Sequence, residues 1–130
     1  MAYRFLTKEE ILQIHQEMVK RHGGTSRIWY KGRLDAAVHA PKAGFGGVRA
    51  HNTVSEIAAA YWFHLSQDHP FEAANKRTAM ESCMTFLRFN GFRIVWDHDA
   101  LVEIGRKVAE SKMAEAELAA WLEQHLVSAE

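Results

Sequence analysis

The residues best suited to chemistry lie in one short run: His69-Pro70-Phe71-Glu72-Ala73-Ala74-Asn75-Lys76-Arg77-Thr78. The run falls between two stretches with helical patterning, and the second stretch starts near Asn75. A helix start carries unpaired backbone N–H groups and the positive end of the helix dipole, which together attract an anion. Lys76 and Arg77 add two full positive charges there. Arginine grips a phosphate through two parallel hydrogen bonds and lysine acts as a point charge, so the set suits a polyphosphate better than a lone carboxylate. His69 stands six to eight residues before this trio, on the loop that leads into it. Histidine titrates near neutral pH and can take a proton from a hydroxyl. Phe71 is expected to bury its ring and anchor the loop, and Pro70 to restrict the backbone beside the histidine. A base facing an anion hole is the layout for phosphoryl or nucleotidyl transfer to a hydroxyl.

Plainer readings stand beside this one. Asn75-Lys76-Arg77 is also compatible with a capped helix start carrying solvated charges, although positive charge at that end is locally unfavourable. His64, Asp68 and His69 form a conceivable metal cluster. Cys83, among Met80, Met84 and Leu87, reads as a buried small hydrophobe rather than a nucleophile.

The elements that position the run follow from caps and periodicity. Thr7 and Glu10 form a capping box, and Ile11, Ile14, Met18 and Val19 mark one face of a first helix that stops at His22-Gly23-Gly24. Residues 23–52 read as mostly irregular, with a short helix at Leu34–His39; Trp29, Tyr30 and Phe45 suggest an ordered flap packed onto the body. Arg33 and Asp35 in this stretch are candidates for target docking by position alone. A second capping box, Thr53 and Glu56, opens a helix over Val54–Ser66 that is apolar nearly all round and so central. Pro70 prevents its easy continuation. The next helix spans Asn75–Phe89, with Met80, Cys83, Met84 and Leu87 as its core stripe and Asn90-Gly91 as its stop. Phe92–Trp96 suits a short extended piece, followed by helices near Asp99–Ala109 and Ala114–Leu126. The reading is thus an all-α single domain over residues 1–130, of about six helices, with the motif loop between two central ones.

Composition narrows the function classes. The 130 residues carry sixteen basic and sixteen acidic side chains. A sequence-independent nucleic-acid binder needs a basic excess to neutralise phosphates, so no direct nucleic-acid binding is expected. No apolar run of about eighteen residues is present to span a membrane. The start of the chain lacks a secretory pattern and the single cysteine excludes an internal disulfide, which fits a cytoplasmic protein.

His-Pro-Phe, three positions, then Asn-Lys-Arg-Thr-Ala resembles the signature of the Doc toxins, the compact branch of the Fic superfamily. The broader Fic pattern has glycine where this chain has Lys76. Gly32-Arg33-Leu34, Phe45-Gly46-Gly47 and Phe86-Leu87-Arg88-Phe89-Asn90-Gly91 also look like Doc-type sequence, so the likeness covers nearly the whole chain. The resemblance implies the toxin half of a toxin–antitoxin pair: a kinase that moves the terminal phosphate of ATP to a threonine of elongation factor Tu and halts translation. It also implies a small Phd-like antitoxin whose terminal segment binds near the active site. By the same resemblance His69 falls on the catalytic base, with Lys76 and Arg77 as catalytic partners. Asn75, Lys76 and Arg77 fall on the phosphate-binding part. Larger Fic relatives transfer AMP instead, and a non-catalytic partner-binding module is a third reading. One position departs from the family. An acid four residues after the histidine helps hold Mg2+, and this chain has Ala73, which cannot ligate a metal; Glu72 is acidic but one position early. Weak or absent transfer is the expectation for the sequence as it stands.

Overall fold

Two threonines start the frame. In the computed structural model, which describes residues 2–45 and 48–129, the Thr7 hydroxyl accepts the Glu10 N–H at 3.1 Å. The Glu10 carboxylate accepts the Thr7 N–H at 2.8 Å. This reciprocal cap opens helix α1, Lys8–His22. Gly23 closes it at φ +88°, a conformation open to glycine, and gives its N–H to the Val19 carbonyl at 2.7 Å. The buried face of α1 is Ile11, His15 and Met18. Ile14 and Val19, expected on that face, are only half-buried, and a histidine occupies its centre.

Thr53 and Glu56 repeat the device for helix α3, Val54–Gln67. Ile57, Ala58, Ala59, Ala60, Tyr61, Trp62 and Leu65 are all fully buried, so α3 is the central helix its composition demands. Burial of each large side chain stabilises by about 1.5–3 kcal/mol. Leu6 gives its N–H to the Tyr61 hydroxyl at 2.8 Å, and burial pushes the Tyr61 pKa up to about 12. Helix α4, Asn75–Phe89, packs along one side of α3 and α6, Glu115–His125, along another. Helices α2, Lys31–His39, and α5, His98–Ala109, flank this centre. Six α-helices are present among the described residues, and none is long and apolar enough to cross a membrane.

The stretch expected to be mostly irregular is more ordered than that. It holds the nine-residue α2, starting at Lys31 rather than Leu34, then a 3-10 turn over Ala40–Lys42. Strands β1, Gly44–Phe45, and β2, Val48–Arg49, pair antiparallel after it. Gly46 and Gly47, and the packing expected of the Phe45 ring, lie outside the described residues. Trp29 and Tyr30 do not pack inward: they are 55% and 45% exposed. What orders this segment is backbone pairing, described below. At the other end, strand β3, Phe92–Ile94, pairs antiparallel with β4, Leu126–Ser128. This strand ends α6 at His125; the partner it needs lies thirty-odd residues away and leaves no local pattern. On α4, Cys83, Met84 and Leu87 are buried as expected, joined by Phe86; Met80 is half-buried and turns to a cavity instead. Burial raises the Cys83 thiol pKa, which suits an inert core residue.

Candidate active site

The loop between α3 and α4 is shaped from three sides. Its chain partner is the segment after α1. The Pro70 carbonyl accepts the N–H groups of Trp29, at 2.9 Å, and Tyr30, at 3.0 Å. Ile28 bridges Phe71, and Glu72 gives its N–H to the Arg27 carbonyl at 3.0 Å. From below, Phe71 is 1% exposed and its ring stacks on the His15 ring, with centroids 3.6 Å apart and planes 9° from parallel. From α4, Asn75 folds back. Its Oδ1 accepts the Phe71 N–H at 3.0 Å and its Nδ2 donates to the Phe71 carbonyl at 2.9 Å. Phe71 is therefore the anchor that its position suggested, held at ring and backbone together.

The ends of the loop are bent. His69 has φ +43° and Ala74 φ +64°, left-handed conformations that cost a non-glycine residue about 1–2 kcal/mol. Such cost persists only where surrounding contacts impose it. Between them Ala73 is half-buried, and its carbonyl accepts from His15 Nε2 at 2.9 Å. A carbonyl only accepts, so the proton of this ring sits on Nε2. Its methyl faces the segment after α1: a Cβ placed on Gly24, itself at φ +106°, would meet the Ala73 Cβ at 2.9 Å. The chain comes this close because position 24 is glycine.

Helix α4 then begins without a cap. Ala74 offers no side-chain acceptor and the first turn holds no acid. The amides of Asn75, Lys76 and Arg77 thus lack intrahelical carbonyls. A left-handed residue followed by helical ones also turns successive N–H groups inward, an arrangement that cradles anions. Lys76 and Arg77 are exposed and form no ion pair with a described residue. Both line a cavity of about 660 Å³ between the end of α1, the start of α4 and α5. Arg21, His22 and His98 add positive or titratable groups, Glu81 an acid, and Met18, Met80, Leu101 and Val102 an apolar lining. A volume of that size accepts a small organic ligand.

The structure does not gather every candidate at that cavity. Asn75 is absent from its lining, and its carboxamide is turned to the Phe71 backbone, through Oδ1 and one N–H of Nδ2. His69 is also outside the lining; it is exposed on the loop and makes no hydrogen bond with a described residue. Arg33 lies over the Tyr30 ring, 4.1 Å from its centroid, and Asp35 pairs with Lys8 at 2.9 Å. Asp68, just before His69, is raised by burial, against the pull of the charges of His64, Arg33 and His69.

The conceivable cluster of His64, Asp68 and His69 is not assembled. His64 Nε2 instead bonds Glu115 at 3.0 Å, and His51 Nε2 bonds the other oxygen of that carboxylate at 2.8 Å. The hydrogen bond to Glu115 raises the His64 pKa, and the same contact lowers that of Glu115. No group of three His, Cys, Asp or Glu among the described residues is arranged to hold a metal ion. In the loop itself the Ala73 side chain has no ligating atom, and Glu72 Oε2 accepts the Thr25 hydroxyl at 2.5 Å. The position four residues after His69 therefore offers no carboxylate to a Mg2+ ion.

Comparison with known proteins places the chain. The Fic/DOC family model matches residues 5–87, and the chain belongs to that family. The protein named Protein kinase doc of Escherichia phage P1 is 29% identical over 133 residues, covering 98% of this chain and 99% of that one. Toxin Doc of Mycolicibacterium smegmatis is 39% identical over 77 residues, 59% of each chain.

Sequence reasoning passed over three contributors: His15, Gly24 and Thr25. For His15 a signal existed. It sits four residues after Ile11 and three before Met18, on the apolar face, where a histidine needs a buried partner.

Proposed function

We propose that this chain is a Doc-type toxin whose chemistry is transfer of the terminal phosphate of ATP to a protein hydroxyl. The observation that carries the reading is the uncapped, doubly basic start of α4 beside a cavity of ligand size, with a free histidine on the loop before it. The phosphates of ATP would rest on the N–H groups of Asn75, Lys76 and Arg77 and on the Lys76 and Arg77 side chains. His69 would take the proton from the attacking hydroxyl as its oxygen bonds to phosphorus and the bond to ADP breaks. Positive charge around the bridging and terminal oxygens stabilises the charge that builds there. The hydroxyl is that of a threonine in elongation factor Tu, and the controlling partner is a small Phd-like antitoxin. Both belong to the resemblance and are part of this proposal, as is action in the cytoplasm.

Ala73 sets the rate. Without a carboxylate at position 73 to hold Mg2+, the site must offset phosphate charge with side-chain cations such as Lys76 and Arg77, so transfer by the chain as it stands is slow or nil. The test is incubation of the chain and of its Ala73→Asp variant with elongation factor Tu and ATP labelled on the terminal or on the alpha phosphate. The expected result is terminal label on the target, much stronger with Ala73→Asp. Alpha label on the target would make the chain an AMP transferase, against which Lys76 in place of glycine already counts. No transfer by a folded Ala73→Asp variant would overturn the enzymatic reading and leave a partner-binding module.

A further inference from the structure

His15 is a buried titratable residue with no part in the proton transfer described above. It is 1% exposed, and both of its described contacts go to the motif loop: ring against the Phe71 ring, and Nε2–H to the Ala73 carbonyl. A peptide unit is planar and trans, so its C=O and N–H point in opposite directions. Tying the Ala73 oxygen to α1 therefore sets the direction of the Ala74 N–H. The next residue is the left-handed Ala74, from which α4 departs with no side-chain cap to steady it. The Ala74 carbonyl already serves Thr78, at 3.0 Å, in the first turn of the helix. The peptide that aims the helix start is thus held from outside α4, by one side chain of α1. Three residues on, Met18 of the same helix face lines the cavity that Lys76 and Arg77 border. One surface of α1 supports both the loop and the space beside it.

We propose that His15 is a positioning residue for the phosphate site: its hydrogen bond to Ala73 sets the direction in which the first amides of α4 face an anion. The proposal rests on the reading of that helix start as a phosphate site. A purely structural histidine would be replaceable by any ring that fills the same volume. A positioning one needs its donor. His15→Phe keeps the ring and the stack on Phe71 but removes the N–H. His15→Gln shortens the stack but retains an N–H at similar reach. An unpaired Ala73 carbonyl also becomes free to rotate its peptide, which alters the resonances of the Ala74 and Asn75 amides.

The experiment measures binding of inorganic triphosphate by calorimetry, well below each variant's melting temperature, with amide NMR spectra of the same samples. His15→Phe is expected to weaken binding about tenfold and to shift the Ala74 and Asn75 amides, whereas His15→Gln stays close to the parent, in keeping with the worth of one buried hydrogen bond. Thr53→Ala, destabilised at a distant cap, is the control and binds as the parent does. Arg77→Ala separates the two readings. If Arg77→Ala leaves triphosphate affinity unchanged, the phosphate site itself is wrong. If Arg77→Ala weakens binding but His15→Phe matches the parent, or if His15→Gln falls as far as His15→Phe, the positioning role is overturned while the site stands.

Discussion

Helices α3 and α4 lie side by side in the core and begin in opposite ways. The start of α3 is closed by its own sequence: Thr53 and Glu56 accept three backbone N–H groups between them, and Glu56 puts negative charge at the positive end of the dipole. The start of α4 has an alanine in a left-handed conformation, no acid, and two cations where the dipole disfavours them. A missing cap forgoes about 1 kcal/mol and each misplaced charge about 0.3–1 kcal/mol. The two starts also differ in burial: Val54 and Ser55 of α3 are buried, whereas Lys76 and Arg77 of α4 are exposed. The start of α3 is built for stability, and that of α4 leaves its amides uncapped and its cations without an ion pair among the described residues, as the proposed phosphate site requires.

The contrast is broken most severely at the anchor. Phe71→Ala is expected to cost about 3–5 kcal/mol in urea unfolding, since it empties a buried site and frees the loop from His15. A loss no larger than that of an exposed substitution would mean that the loop is held by its backbone partners alone. Next come the two helix starts themselves. Thr53→Ala should lower stability by about 1 kcal/mol, and Ala74→Gly should leave it unchanged or raise it by up to about 1 kcal/mol by releasing the left-handed strain. A marked loss from Ala74→Gly would remove the claim of strain. Lys76→Glu should raise stability by about 0.3–1 kcal/mol, through the dipole, while weakening triphosphate binding. Both quantities falling together would erase the contrast with α3.

The smallest effect is a pH dependence at the contact between α3 and α6. His64 has a raised folded pKa, so its contribution is complete below the ordinary histidine value of 6.5 and is lost as pH rises through the raised value. Glu115 has a lowered folded pKa, so its contribution is present above the ordinary value of 4.5 and is lost as pH falls through the lowered one. The attachment of α6 to α3 is therefore firmest between about pH 4.5 and 6.5. His64→Gln should flatten the alkaline side of a melting-temperature profile. An unchanged slope above pH 6.5 would show that the hydrogen bond between His64 and Glu115 carries no linkage.

What was legible in the sequence is what is local. The capping boxes at Thr7 and Thr53, the glycine stop at Gly23, the bounds of α4 and the burial of Phe71 and Cys83 all depend on residues within a turn or two. The motif itself is contiguous, so His69, Asn75, Lys76 and Arg77 were readable as a set. The remainder arises from distance along the chain. The strand β4 needs β3, the order of residues 27–30 comes from the Pro70 carbonyl and the Glu72 N–H, and the engagement of His64 comes from Glu115. Trp29 and Tyr30 misled for a physical reason: aromatic rings suggest burial, yet here the backbone beneath them is what is held. Asn75 was read for its place beside two cations, and its carboxamide is turned the other way, to the loop it follows.

The two bent residues at the loop ends have a consequence for how the motif travels. His69 and Ala74 are held in conformations that a free chain abandons, and the contacts that hold them come from α1, from the segment after it and from α4. The nine residues from His69 to Arg77 are therefore not a portable unit. A synthetic peptide of that sequence would carry all the charges and the imidazole and still lack the shape. Transplanting the motif to another scaffold would require its donor from α1 and the segment at residues 27–30 to be moved with it.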